Sequence, residues 1–208
     1  MARVLGPLMS VSASGTFAKT LVFSIWKGRA YVRERVIPLN PRSAMQLGVR
    51  AMMAFLAQAW AGLIAGEQDD YDEGASQRSI SPFNEFVSQN LSAWQTFTTP
   101  SKNWPAENAS TPLTVTTQTL TGGEGMATIE LTPSGATAIW GFLIFRSLAV
   151  ITTPSWANCI TAIAADGANM VTHVDSPLDA GTYHYRSAVF NDDGVMGTVK
   201  ADGTAVVT

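Results

Sequence analysis

The sequence predicts an α+β domain over residues 1–105, a β-hairpin with two helices, followed by an all-β sandwich over residues 106–208. Three observations lead to this prediction. Strand-like alternation and then helical spacing occur before residue 96, a proline-rich segment spans residues 99–112, and short strand-like runs separated by turn residues occupy the remainder. The boundary between the two predicted domains is placed in the proline-rich segment.

The first predicted element is the β-hairpin. The runs TLVFSIW (20–26) and RAYVRERVI (29–37) flank Lys27-Gly28, a two-residue turn with glycine where a positive φ costs little. Alternation divides the second strand between two faces. One face carries Ala30, Val32, Glu34 and Val36, and the other carries Tyr31, Arg33, Arg35 and Ile37. The cationic face ends in apolar side chains, which favours a packed interface over a solvated surface.

A long apolar helix is predicted next, within residues 40–66, with Asn40 as N-cap and Pro41 as its first residue. Between Ala51 and Ala65 its only polar side chain is Gln58. A helix without a polar face is normally buried all round. Because a domain of about 105 residues can hardly surround it, we expect it to contact other subunits. Its apolar positions are Met45, Val49, Met52, Met53, Leu56, Trp60, Leu63 and Ile64.

A second helix is predicted at residues 81–94, where Ser81 is a good cap and Pro82 suits the first helical position. Between the two helices, GEQDDYDEG (66–74) indicates an acidic turn or half-helix. Within it, DDYDE (69–73) lacks the regular oxygen spacing and the glycine of a calcium loop, so we expect a solvated acidic turn.

The second half contains about seven short strand-like runs separated by turns, the number and spacing typical of an immunoglobulin-like sandwich. The runs are LTVTTQTL, MATIELT, AIWGFLIFRS, ITAIAAD, NMVTHVD, TYHYRSAVF and TVKADGTAVV. His184 alternates with Tyr183 and Tyr185, so it should face solvent if the tyrosines point inward.

Charge is distributed unevenly along a chain whose net charge is −3. Residues 1–60 have eight basic residues (Lys or Arg) and one acidic residue. Residues 61–105 have two basic and six acidic residues, and residues 106–208 have three basic and nine acidic residues. Such asymmetry favours head-to-tail or other asymmetric contacts between proteins.

The sequence does not predict an enzyme or a cofactor. No G-x-S-x-G, P-loop or H-E-x-x-H motif occurs, the histidines are only His173 and His184, and Cys159 has no second thiol to pair with. No apolar run approaches the roughly 20 residues of a membrane-spanning helix, so no membrane partner is expected.

The cationic hairpin has three interpretations: nucleic-acid binding, docking on an acidic protein partner, or a solvated face. Nucleic-acid binding usually adds aromatic platforms, for which only Trp26 and Tyr31 are candidates. Docking is favoured, because arginine suits interface ion pairs and the apolar helix also requires a partner. The predicted docking residues are Trp26, Lys27, Arg29, Tyr31, Arg33, Arg35 and Arg42 with Met52, Met53, Leu56 and Trp60.

The C-terminal half resembles fibronectin type III domains in two segments, GFLIFRS (141–147) and VDSPLDAGTYHYRSAVFNDDG (174–194). The resemblance implies that Tyr183 is the tyrosine-corner residue, whose hydroxyl bonds back to the chain before its strand. The tryptophan usual in that family's second strand is absent, and Ile129 and Leu131 stand there instead.

The N-terminal half contains a glycine, then L-V-F-S-x-W-K-G-R-x-Y-V-R, then N-P-R-[ST]-x-x-Q, which fall on Gly15 and on residues 21–33 and 40–46. In this pattern it resembles a group of structural proteins of tailed bacteriophages. The resemblance implies an oligomeric virion component, either an adaptor or fibre-anchoring protein at the head–tail vertex or tail, or a capsid cement or decoration protein. The alternatives are a free glycan- or protein-binding module with Trp140 and Trp156 as an aromatic platform, and a DNA-binding accessory protein.

Overall fold

The computed structural model describes residues 2–3, 15–37, 43–106, 114–134, 139–165 and 170–208. The chain divides into two compact units, Met1–Pro41 and Arg42–Thr208. Its architecture combines helices with antiparallel β-sheets, as the sequence predicts.

The first unit contains an antiparallel sheet with the strand order β1-β4-β3-β2. Its strands are β1 (Ala2–Arg3), β2 (Gly15–Phe17), β3 (Leu21–Trp26) and β4 (Arg29–Glu34). The predicted hairpin is β3–β4. Lys27 and Gly28, with φ values of 49° and 74°, form its two-residue turn. Positive φ at both residues is what a type I′ turn requires, and its twist matches that of the flanking strands.

The helices belong to the second unit and are α1 (Ala44–Gly62), α2 (Ala65–Asp69), α3 (Asp72–Arg78) and α4 (Pro82–Gln95). Helix α4 begins as predicted, with the Ser81 hydroxyl accepting a hydrogen bond from the Asn84 N–H at 3.3 Å. The predicted start of α1 is wrong, because the cap is Ser43, whose hydroxyl accepts from the Gln46 N–H at 3.4 Å. Asn40 and Pro41 lie outside the described residues. Residues 66–74, predicted as an acidic turn or half-helix, contribute to both α2 and α3.

In the described part of the second unit, seven strands form two antiparallel sheets, β5-β6-β9 and β11-β10-β7-β8. Their number agrees with the prediction. The strands are β5 (Val115–Gly123), β6 (Met126–Pro133), β7 (Gly141–Ser147), β8 (Cys159–Ala164), β9 (Val171–Asp175), β10 (Gly181–Phe190) and β11 (Gly203–Val207).

The second unit has two apolar cores, one on each side of strand β7. Phe142 and Ile144 belong to a buried cluster with side chains of the β5-β6-β9 sheet, whereas Leu143 and Phe145 belong to a cluster with α1 and α4. The two pairs alternate along the strand and therefore point to opposite faces of the sheet. Strand β7 is thus covered on both sides, which explains its uninterrupted apolar run.

The predicted domain boundary at residues 105/106 is therefore wrong, because it does not separate two independent hydrophobic cores. The helices share a core with β7 and β10, and residues 99–102 are held by the β10–β11 connection. The Thr99 hydroxyl donates to the Gly194 carbonyl at 2.7 Å, and the Lys102 N–H donates to the Asp192 carbonyl at 2.9 Å. The first part of the proline-rich segment thus packs against the sheet unit instead of acting as a free linker.

Candidate interaction surfaces

The β1–β4 sheet has two chemically different faces, because directly opposed residues of antiparallel strands lie on the same face. One face is apolar, with the pairs Phe17–Leu21, Phe23–Val32 and Ile25–Ala30. The other face is aromatic and cationic, with the pairs Trp26–Arg29, Ser24–Tyr31 and Val22–Arg33. We call the second face, together with Lys27 of the turn and Arg35 after β4, the cationic face. The alternation predicted from the sequence is present in this register.

Neither face of the sheet is buried within the described residues, although residues 22–24 and 30–32 at its centre are half-buried. Among residues 15–37 none is buried, and the exposed fraction is 53% for Phe17, 49% for Ile25 and 66% for Trp26. The Lys27 ammonium lies 4.9 Å from the centre of the Trp26 ring, within cation–π range. A sheet of this size without a buried core is marginally stable by itself, so covering either face would stabilise it.

The cations of this face have no acidic partner in the part of the chain that the structure describes. Lys27, Arg29, Arg33 and Arg35 form no ion pair there. The nearest acid in sequence, Glu34, is opposite Leu21 and therefore lies on the apolar face. Six of the predicted docking residues, Trp26, Lys27, Arg29, Tyr31, Arg33 and Arg35, thus come together on one small sheet. Arg42 lies outside the described residues.

The docking role predicted for the apolar helix is not supported by its position in the fold. Met52 and Leu56 are fully buried in the core between the helices and the β11-β10-β7-β8 sheet. Trp60 packs against the rings of Phe83 and Phe86, and only Met53 keeps an exposed fraction of 40%. One side of the helix is covered by its own chain, whereas Met45 and Val49 are exposed like Met53, with exposed fractions of 47% and 41%. Contact of this exposed side with other subunits remains a prediction.

The acidic segment is a second charged surface, which we define as Asp69 and Asp70 at the end of α2 and Asp72 and Glu73 at the start of α3. All four side chains are exposed, and none forms an ion pair within the described residues. Tyr71 lies between them in sequence but points inward, where its hydroxyl donates to the Ser101 carbonyl at 3.2 Å. Burial raises the pKa of Tyr71 to about 12. The buried tyrosine anchors the segment and leaves its carboxylates in solvent.

The polar groups of the two-sheet region are engaged within the fold. The Tyr183 hydroxyl donates to the Asp179 carbonyl at 3.0 Å, which is the back-bond implied by the fibronectin resemblance. His184 was expected to face solvent, yet its Nδ1 lies 2.6 Å from an Asp202 carboxylate oxygen.

A polar network that the sequence did not indicate joins Arg146, Asp175 and Tyr185. The Arg146 Nη1 donates to both carboxylate oxygens of Asp175 at 2.8 Å, and the Tyr185 hydroxyl donates to the same carboxylate at 2.9 Å. Burial and the adjacent Asp175 raise the pKa of Tyr185. Asp175 is buried, so breaking this pair would leave an uncompensated charge. No local spacing rule connects residues this far apart in sequence.

The remaining candidate groups are part of the cores. Trp140 lies edge-on to Phe55 with ring centres 5.0 Å apart, and Trp156 packs against the same helix–sheet core. Burial raises the pKa of the Cys159 thiol to about 12, which disfavours the reactive thiolate. In the described ranges no three His, Cys, Asp or Glu side chains are grouped to hold a metal ion. None of the helices there is long and apolar enough to span a membrane.

Comparisons with known proteins identify no family. No protein-family model and no curated protein matches the chain. Among solved structures, an Fn3-like protein from Clostridium thermocellum is similar to 48% of this chain over 96% of its own, with 17% identity and a TM-score of 0.36. The fibronectin(III)-like modules of CbhA from Clostridium thermocellum match 44% of this chain and 46% of theirs, with 13% identity and a TM-score of 0.33.

A β-1,2-glucanase from Parabacteroides distasonis matches 48% of this chain with 17% identity and a TM-score of 0.36. The matched region is only 14% of that enzyme. Structural similarities with such low identities and TM-scores do not indicate the function of this protein.

Proposed function

We propose that the protein is a non-enzymatic structural component of a tailed-phage virion, attached to neighbouring virion proteins through the β1–β4 sheet. In this proposal it acts as an oligomeric adaptor or fibre-anchoring protein at the head–tail vertex or tail. The strands β5–β11 would form an immunoglobulin-like domain of the fibronectin type III kind.

The observation that carries the proposal is the exposure of both faces of the β1–β4 sheet. One face presents apolar side chains such as Phe17 and Ile25, and the other presents arginines beside Trp26 that form no ion pair within the described residues. A single small sheet gains stability and specificity when such faces are covered by partner proteins. The residues that form both faces lie in the segment that resembles phage structural proteins, which adds support from the sequence.

The proposed fold of β5–β11 is supported by its strand order. The sheets β5-β6-β9 and β11-β10-β7-β8 correspond to the A-B-E and G-F-C-C′ sheets of a Greek-key sandwich, if β5–β11 are lettered A, B, C, C′, E, F and G. The Tyr183 hydrogen bond to Asp179 is the corner contact expected at the start of strand F. Because β-sandwiches have many functions, the strand order supports only the proposed fold. The proposed virion role depends on the exposed β1–β4 sheet.

The experiment that tests the proposal is peptide mass spectrometry on phage particles purified by density gradient. We expect the protein to band with particles, at a copy number far below that of the major capsid protein. A copy number comparable to the capsid protein would instead indicate the decoration role. Recovery only in the soluble fraction would refute a virion role.

A pair of variants then tests the attachment surface. Arg33→Glu reverses a charge on the cationic face, whereas Lys19→Glu makes the same change in the exposed β2–β3 turn. In particles complemented with each variant, we expect Arg33→Glu to reduce incorporation and Lys19→Glu to leave it near the wild-type level. Equal incorporation of both variants would show that the cationic face is not the attachment surface.

A further inference from the structure

Two surfaces of the chain carry opposite charge. The cationic face has Lys27, Arg29, Arg33 and Arg35, and the acidic segment has Asp69, Asp70, Asp72 and Glu73. Across the described residues, none of these eight groups forms an ion pair. Like charges held close together repel one another, and a partner of opposite charge removes that repulsion.

We propose that the cationic face of one copy docks on the acidic segment of a second copy of this chain. The proposal rests on the proposed function, because it names the partner of the same sheet. It commits to a second copy because the chain itself presents a surface that matches the face in charge.

The chemistry of the two surfaces suits such a contact. Three of the four cations are arginines, whose planar guanidinium groups bind carboxylates through paired hydrogen bonds and lose little hydration when buried. Trp26 and Tyr31 lie among them on the same face and would supply the apolar area that charge pairs alone do not. Interfaces of this composition gain both association rate and specificity from complementary charge.

The acidic segment is also held in place before any partner arrives. Tyr71 and Ala75 are buried beneath it, and the Tyr71 hydroxyl is bonded to the Ser101 carbonyl. Helix α3 is further attached to α4 by the Arg78–Glu85 ion pair at 2.8 Å, in which Glu85 is buried. A surface whose backbone is fixed in this way loses less entropy on binding than a flexible acidic loop.

A contact between two different surfaces has a consequence for assembly. Each copy that uses its cationic face on one neighbour keeps its acidic segment free for the next. Such a contact propagates head to tail and closes into a ring when the rotation between copies permits. This geometry suits an oligomeric adaptor, because one copy of each surface is sufficient for a closed assembly of any size.

The test is the mass of the full-length protein in solution, measured by sedimentation velocity with light scattering. We expect oligomers with masses that are multiples of 22.1 kDa at low ionic strength. Association should weaken between about 0.01 M and about 1 M salt, because the screening length falls from about 30 Å to about 3 Å.

Two neutralised variants make the test specific. The first is Arg29→Gln, Arg33→Gln, Arg35→Gln, and the second is Asp70→Asn, Asp72→Asn, Glu73→Gln. Each variant alone should associate roughly tenfold to a hundredfold more weakly than the wild type. An equimolar mixture should form a 1:1 heterodimer and nothing larger, because only one complementary pair of surfaces remains. Neutralising Lys19 and Glu124, which lie in exposed turns, is the control and should leave association unchanged.

The mixing experiment also guards against misfolding, since each variant must present one intact surface to form the heterodimer. A wild type that stays monomeric at low ionic strength would overturn the proposal, as would variants that associate like the wild type or a mixture that forms no heterodimer. A monomer that binds single-stranded DNA through Arg29 and Arg33 would overturn it in favour of nucleic-acid binding. Monomeric protein that is present in particles would refute self-docking alone, whereas self-association without particle incorporation would refute the virion role alone.

Discussion

Phe17 and Phe55 are the same residue in two very different settings. Phe17, in β2 of the first unit, has an exposed fraction of 53%, whereas Phe55, in α1 of the second unit, has 2%. Phe55 is also surrounded by aromatic rings, with ring centres 5.0 Å from Trp140 and 5.3 Å from Phe190. The first unit therefore leaves this apolar side chain exposed, whereas the second buries its counterpart for its own stability. Hydrophobicity alone does not distinguish an exposed side chain from a core residue.

The substitutions with the largest expected difference in stability test this comparison directly. Phe55→Ala should lower the free energy of unfolding by about 3 to 5 kcal/mol, because it leaves a cavity between α1 and the β11-β10-β7-β8 sheet. Phe17→Ala removes an exposed ring and should change that free energy by no more than about 0.5 kcal/mol. Urea denaturation followed by circular dichroism measures both. Similar losses for the two variants would show that the first unit also contributes a core.

A smaller effect tests the packing of α1 on the sheet. Gly48 lies where α1 approaches β8, and a Cβ at this position would overlap the carbonyl oxygen of Cys159. Gly48→Ala should therefore destabilise the protein by about 1 to 3 kcal/mol.

Gly62 is the matched control, because it is in the same helix but has no atom within 4 Å of an added Cβ. Gly62→Ala should stabilise the protein by up to about 1 kcal/mol, as alanine is the better helix former. The same urea experiment compares the two variants. If Gly48→Ala is also neutral or stabilising, α1 does not pack on β8 as the structure places it.

The sequence predicted the elements whose signals are local. Ser81 and Pro82 indicated the start of α4, Lys27-Gly28 indicated the hairpin turn, and alternation separated the two faces of β4. These signals depend on a few neighbouring residues and on backbone chemistry. They were therefore sufficient to predict α4, the hairpin and most of the cationic face.

The errors concern contacts between residues distant in sequence. The buried side of helix α1 is covered by a sheet formed by residues 141–207, and nothing within the helix indicates whether this cover comes from the same chain. Thr99 and Lys102 were assigned to a linker because proline and small polar residues surround them, yet their partners are Gly194 and Asp192. Local composition describes a segment's preferences and does not identify what packs against it.

The smallest expected effect is a pH dependence of the free energy of unfolding. It concerns the second unit, because both histidines of the chain, His173 and His184, belong to that unit. Burial lowers the pKa of His173 from its ordinary value of 6.5, and Asp175 opposes this only in part. The unfolded chain therefore binds more protons than the folded chain as the pH falls below about 6.5, and stability decreases in that window.

His173→Gln removes this contribution, so the stability of the variant should fall less than that of the wild type between about pH 7.5 and about pH 5.5. Urea denaturation at the two pH values measures the difference, and the carboxylates common to both proteins largely cancel from it. An equal loss in both proteins would show that His173 does not resist protonation in the fold. Neither the cationic face nor the acidic segment contains a histidine, so His173→Gln should leave self-association unchanged at both pH values, and a change in mass on this substitution would indicate that His173 contributes to that contact.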